Sequence, residues 1–136
     1  VALRFIADKS ALARLKHAAV AARLSPILAE LATCAVIDLE ILFSAKTHAD
    51  VVATLRERRA FPQLAMSQTD FSRAIEVLER LARTGHHRAA GIPDLLIAAV
   101  AERHGLTLLH YDKDFDLIAK VTGQAVEWVV PAGSVP

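Results

Sequence analysis

Residues 91–123 read GIPDLLIAAVAERHGLTLLHYDKDFDLIAKVTG, and this stretch decides the fold. It opens with an apolar helix. Pro93 suits the first helical turn, and Gly105 suits the stop. Residues 107–111 follow as a short apolar strand, and residues 112–121 return to helical spacing. A helix, a buried strand and a second helix in direct succession imply a parallel sheet covered on both faces.

The flanking sequence extends the pattern. Residues 3–7 are apolar and end in Asp8, as a buried strand would. Ser10 is expected to cap a helix running to about Val20, and Ser25-Pro26 to open the next one, bearing Ile27, Leu28 and Leu31. Residues 33–36 read as a second strand and residues 39–45 as a helix with Asp38 as its cap. Thr47-x-x-Asp50 and Ser67-x-x-Asp70 each pair a capping residue with an acid three positions on. The first predicts a helix to about Arg59. The second predicts one carrying Phe71, Ile75, Leu78 and Leu81 and stopping at Gly85. Residues 125–129 make a last strand. The expectation is one α/β domain over residues 1–136, with a small parallel sheet of four or five strands.

Composition narrows the function. With 54% hydrophobic and 23% charged residues in 136, the chain is not disordered. Cys34 is the one cysteine, which excludes an intrachain disulfide framework and suits a reducing compartment. The longest apolar run, residues 95–101, is far short of the ~20 needed to span a bilayer. The opening VALRFIAD lacks a charged-then-apolar signal, so the chain is expected to be cytoplasmic and to have no membrane partner. The net charge of +1 leaves no basic coat for nucleic acid. A polyanion would have to be held by a local patch or by metal ions.

The acids fall in a pattern. In open α/β sheets, ligands bind beyond the carboxyl ends of the strands. Asp8 follows the first strand there, and Asp112 and Asp114 follow the strand at 107–111. Glu40 lies just after the second strand, and Asp94 near the start of the helix IPDLLIAA. Each has an ordinary alternative. Asp94 can complement a helix N-terminus, worth ~0.3–1 kcal/mol. Asp112 can be an N-cap, and Asp116 a solvated helix-surface acid. Glu40 is harder to dismiss, because its segment looks buried and Glu is rarely buried unpaired. Two carboxylates ~4 Å apart repel by ~4 kcal/mol at an effective dielectric near 20. A gathered set therefore needs cations or retained protons. Oxygen ligands without Cys or His suit Mg²⁺ or Mn²⁺ rather than Zn²⁺.

Taken together, FIADKSA (5–11), TCAVIDLEILFSA (33–45) and the stretch 91–123 with its D-x-D-F resemble a PIN-domain protein, specifically a VapC-type toxin ribonuclease. The resemblance covers nearly the whole chain. It implies a three-layer α/β/α sandwich with a small parallel sheet. It also implies a catalytic acidic site of Asp8, Glu40, Asp94 and Asp112, in which Asp8, Asp94, Asp112 and Asp114 hold metal. Ser10 matches the family's small hydroxyl residue, while Lys9 stands where many relatives have Thr.

The activity so implied is metal-dependent endoribonuclease hydrolysis of structured RNA such as tRNA. Water is the nucleophile, and the products carry a 5′-phosphate and a 3′-hydroxyl. Lys9 and Arg88 flank Asp8 and Asp94 and are the substrate-phosphate candidates alongside Ser10. The implied partners are a second copy of the chain and a small VapB-type antitoxin, which would inhibit by placing an Arg among the carboxylates. The alternative is a catalytically silent PIN-like scaffold that binds RNA or protein. A receiver domain would need paired acids after the first strand, and a haloacid-dehalogenase-like phosphatase would need D-x-D there. Asp8-Lys9-Ser10 supplies neither.

Overall fold

The computed structural model describes residues 2–136; Val1 lies outside the described residues. The chain runs β1 (Phe5–Ala7), α1 (Lys9–Leu12), α2 (Ala18–Leu24), a 3₁₀ segment (Ser25–Glu30), β2 (Leu31–Ala32), α3 (Ala35–Phe43), α4 (His48–Arg58), α5 (Gln68–Ala82), α6 (Ile92–Arg103), β3 (Thr107–His110), α7 (Asp114–Thr122) and β4 (Val126–Trp128). The sheet has four strands in the order β2-β1-β3-β4, all paired in parallel.

Alternation along the strands makes two cores. Ile6, Ala32 and Leu108 point to one face and pack with Ile37, Val77, Ile97, Val100 and Phe115 from α3, α5, α6 and α7. Phe5, Ala7, Leu31 and Leu109 point to the other and pack with Ala11, Val20 and Leu24 of α1 and α2, and with Val129. The period of two in the strands thus sets three layers, helices on either side of the sheet.

The strand order fixes where a site can form. The chain leaves β1 toward β2 on one side and β3 toward β4 on the other, so the order reverses between β1 and β3. A crevice opens at such a switch point, beyond the carboxyl ends of the strands. The pairing Ala7↔Leu109 brings those two ends together. Asp8 N–H continues it by donating to the Leu109 carbonyl at 3.2 Å.

Several local expectations are corrected. Ser10 does not cap the first helix. Asp8 does, accepting from Ala11 N–H, and the helix is broken into α1 and α2. Ser25 is likewise no cap, because the 3₁₀ segment runs straight on from α2. The second strand is Leu31–Ala32 rather than residues 33–36, and α3 starts at Ala35 from an extended Cys34. Thr33 is drawn elsewhere: its hydroxyl donates to Asp38 at 2.8 Å and accepts from Arg58 at 2.9 Å. Asp38 is therefore no cap either. It is the acid of a nearly buried ion pair with Arg58 at 3.0 Å, and it also accepts from Gln63 at 2.6 Å. Asp112 sits outside α7, whose cap is Lys113. Phe71 and Ile75 are 45% and 65% exposed, because α5 buries Asp70, Ala74 and Val77 along with the expected Leu81.

The 67–70 capping box forms as read, and Arg103 pairs with Asp70 at 2.7 Å. That bond holds the Asp70 carboxyl below its usual range. The αL residue Gly123 (φ +74°) ends α7, a conformation that L side chains rarely adopt. Among the described residues, no helix is long and apolar enough to cross a membrane.

Candidate active site

Asp8 is the first acid in the crevice. It leaves β1 in an extended conformation (φ −86°, ψ 176°), and its Oδ1 accepts from Ser10 Oγ at 2.6 Å and from Ala11 N–H at 3.3 Å. It is only 3% exposed. Burial pushes its carboxyl up to about 6, against the pull of those hydrogen bonds.

Asp94 enters from the first turn of α6, where Gly91 is the cap and Pro93 follows. Asp112 and Asp114 enter from the turn after β3. Asp112 Oδ1 accepts Asp114 N–H at 2.9 Å, which folds the two acids toward one another. Carboxylate oxygens of Asp94, Asp112 and Asp114 lie within 4.8 Å of one another. Burial, together with the charges of Asp8, Asp112, Glu40 and Asp114, pushes Asp94 up to about 7. Burial and then Asp112 raise Asp114 as well. Glu40 reaches the same crevice from α3. It is raised by burial and pulled back by the Lys9 ammonium. Three acids therefore gather at the switch point, with Asp8 and Glu40 near enough for their charges to raise Asp94.

The other candidates are placed differently. Lys9 shares a recess with Leu39, Glu40 and Phe43. The Ser10 hydroxyl is committed inside the protein, donating to Asp8 and accepting Tyr111 N–H at 2.8 Å. It ties the ends of β1 and β3 together. Arg88 is exposed in the loop before α6 and, among the described residues, forms no ion pair. Replacing Ser10 by Ala leaves the Asp8 carboxylate with the Ala11 N–H bond alone and leaves Tyr111 N–H without its acceptor. We expect a loss of about 1–2 kcal/mol by urea denaturation, with a larger relative loss in any activity that needs Asp8. A stability unchanged to a few tenths of a kcal/mol would remove Ser10 from this role.

A residue that the sequence did not single out, His110, supports the acids. His110, the last residue of β3, is fully buried and accepts Asp112 N–H at Nδ1 over 3.1 Å. Its ring lies between Phe115 and Trp128, with centroids 5.2 and 5.0 Å away. Asp116 is the expected helix-surface acid, its side chain 43% exposed, and its Oδ2 also accepts from Trp128 Nε1 at 3.0 Å. The available signal was a histidine within an apolar strand, directly before D-x-D.

Residues 2–121 match the PIN domain family. The chain belongs to the PIN-domain family. Among its relatives, ribonuclease VapC21 of Mycobacterium tuberculosis is 44% identical over 135 residues, covering 96% of this chain and 97% of that one. In structure, this PIN domain is similar to a chain of DNA-bound VapBC from Salmonella typhimurium. That match has a TM-score of 0.74 at 16% identity, over 94% of this chain and 99% of that one. It is also similar to VapBC-5, a toxin–antitoxin system of M. tuberculosis. Here the TM-score is 0.62 at 28% identity, over 93% and 96% of the two chains.

PIN nucleases generally use divalent metal, and the donors here fit one. They are carboxylate oxygens alone, crowded enough to hold protons near neutrality. The raised acids set a pH dependence. Unfolded Asp titrates near 3.8, whereas Asp8 and Asp94 titrate at about 6 and about 7 in the fold. Between those values the native state holds more protons than the unfolded chain, so stability falls as pH rises through this window. Metal-free protein should show a melting temperature that declines from about pH 4 to 7 and then levels. Millimolar Mg²⁺ or Mn²⁺ should restore it at the upper end. Asp70, lowered rather than raised, acts oppositely and only at more acid pH. A metal-free profile that rises over the window would contradict a crowded site.

Proposed function

We propose that this PIN domain, read as a single domain over residues 1–136, is a metal-dependent endoribonuclease and the toxin of a toxin–antitoxin pair. The observation that carries the reading is the convergence of Asp94, Asp112 and Asp114 within 4.8 Å, beside Asp8 and Glu40. Asp8, Asp94, Asp112 and Asp114 would hold Mg²⁺ or Mn²⁺. When bound, such an ion polarises a phosphoryl oxygen and makes hydroxide available near neutral pH.

The chain supplies the rest. Ser10 fixes Asp8, and the turn at 112–114 fixes two further ligands. Glu40, raised by burial, is suited to accept a proton from the attacking water. Lys9 offsets the Glu40 charge and can contact a phosphate at the rim, with Arg88 on the exposed loop available to a longer RNA. Attack by water leaves a 5′-phosphate and a 3′-hydroxyl. A structured RNA such as tRNA is the substrate class.

The relatives' membership of VapBC pairs supports a VapB-type antitoxin as partner, with an Arg laid among the carboxylates as a bidentate charge-assisted pair. Exposed Phe71, Ile75 and Ile92 support a homodimer, since apolar patches of this kind are usually covered. The one buried, free cysteine fits work in the cytoplasm.

Incubating purified chain with total RNA in Mn²⁺, and sequencing the 5′-phosphate ends, tests the activity. Discrete new ends that vanish with chelator are expected. Cleavage that survives chelator would refute the metal role, and RNA left intact would make the chain a silent scaffold.

A further inference from the structure

The acidic turn at 112–114 is held from below by a side chain whose presence packing does not explain. His110 is fully buried, with Phe115 and Trp128 against its ring. Its Nδ1 accepts Asp112 N–H at 3.1 Å, so in the neutral ring the proton sits on Nε2. That Nε2 is buried and, among the described residues, has no hydrogen-bond partner; Asp116 Oδ1 lies 3.7 Å away. An unsatisfied buried donor is unfavourable. An apolar side chain between the two rings would avoid it. The one hydrogen bond that the imidazole makes goes to the backbone of an acid in the site, and from there the Asp112 carboxylate takes Asp114 N–H.

We propose that His110 is a positioning residue for the acidic centre, its ring accepting Asp112 N–H and thereby setting the turn that aims the Asp112 and Asp114 carboxylates. The inference rests on the metal-dependent reading of that centre. His110 touches neither ion nor RNA in this role. Asp116, held by Trp128 Nε1, stands on the far side of the ring and attracts its Nε2–H, which favours the tautomer that leaves Nδ1 bare.

Two substitutions separate positioning from packing. In His110→Asn the side-chain oxygen falls where Nδ1 was, and the bond to Asp112 is kept. In His110→Gln the amide reaches the Nε2 position, and Asp112 N–H loses its acceptor. Calorimetric titration with Mn²⁺ at fixed pH is the readout. We expect His110→Asn to bind within a few-fold of the natural chain and His110→Gln to bind about 10–100-fold more weakly, the scale for residues that orient metal ligands. Gln is closer to His in volume, so a packing role gives the reverse order, and Gln binding as well as or better than Asn overturns the proposal.

¹⁵N NMR of the unmodified metal-free chain gives a second test that needs no variant. A bare Nδ1 and a slowly exchanging Asp112 amide are expected; a protonated Nδ1 or a freely exchanging amide overturns the proposal. The site reading is checked separately by Asp112→Asn. Equal Mn²⁺ affinity there and in the unmodified chain strikes the metal site itself. A clear loss there with none in His110→Gln strikes only the role of His110.

Discussion

Asp94→Asn should abolish RNA cleavage, by at least about 100-fold, the scale on which one preorganised group at the reacting centre is worth its charge. The amide keeps the shape and removes the carboxylate on which the charges of Asp8, Asp112, Glu40 and Asp114 all press. The same change should leave metal-free protein at least as stable as before at pH 8, because a buried, repelled charge disappears. It should also flatten the decline of melting temperature between pH 4 and 7, most of which Asp94 and Asp8 supply. Activity falling together with stability would mean that Asp94 serves the helix rather than the reaction. Residual cleavage above a tenth of the original would exclude Asp94 from the centre.

Arg58→Met should be strongly damaging to the fold. Arg58 is buried and bonded to Asp38 and to Thr33, and its guanidinium lies 4.8 Å from the Phe61 ring centroid. Removing it strands the Asp38 carboxylate, a loss of roughly 3–5 kcal/mol, or about 10–20 °C in melting temperature for a domain of this size. The double change Arg58→Met with Asp38→Leu should recover much of this, because replacing both ions by apolar groups is often neutral. A double mutant as unstable as the single would place the role of Arg58 in its stacking on Phe61. Asp38 lies on α3 two residues before Glu40, so the double mutant also asks whether the ion pair orients that helix for the site.

What the sequence revealed and what it hid divide on physical lines. The acids were legible because their positions relative to strand ends follow from local pattern: Asp8 after FIA, Asp112 and Asp114 after TLLH. The parallel α/β architecture followed from alternation of helix and buried strand. Contacts between distant segments were not legible. Ser10 reads as a helix cap because a hydroxyl near a strand end usually caps, yet its partner is Tyr111 N–H, 101 residues away. Asp38 reads as a cap until Arg58 is seen across from it. Phe71 and Ile75 follow helical spacing on α5, but the neighbouring α6 chose the face bearing Ala74 and Val77. The boundary of β2 slipped because the Thr33 backbone bridges in parallel to Gln63, donating to Pro62 and accepting from Leu64, rather than pairing with β1.

The hydroxyl that links Ser10 to Tyr111 also bears on when the acids can meet during synthesis. The first acid is made at position 8, while the turn that completes the set is made at 112–114, and the two strands that seat them pair directly in the sheet. A ribosome carrying a partial chain therefore displays Asp8 without Asp112 and Asp114, however well the early helices have formed. The pocket closes only once residue 114 has cleared the exit tunnel and β3 has docked beside β1. A chain interrupted before residue 112 therefore cannot assemble the full acidic set, whatever the state of its earlier helices.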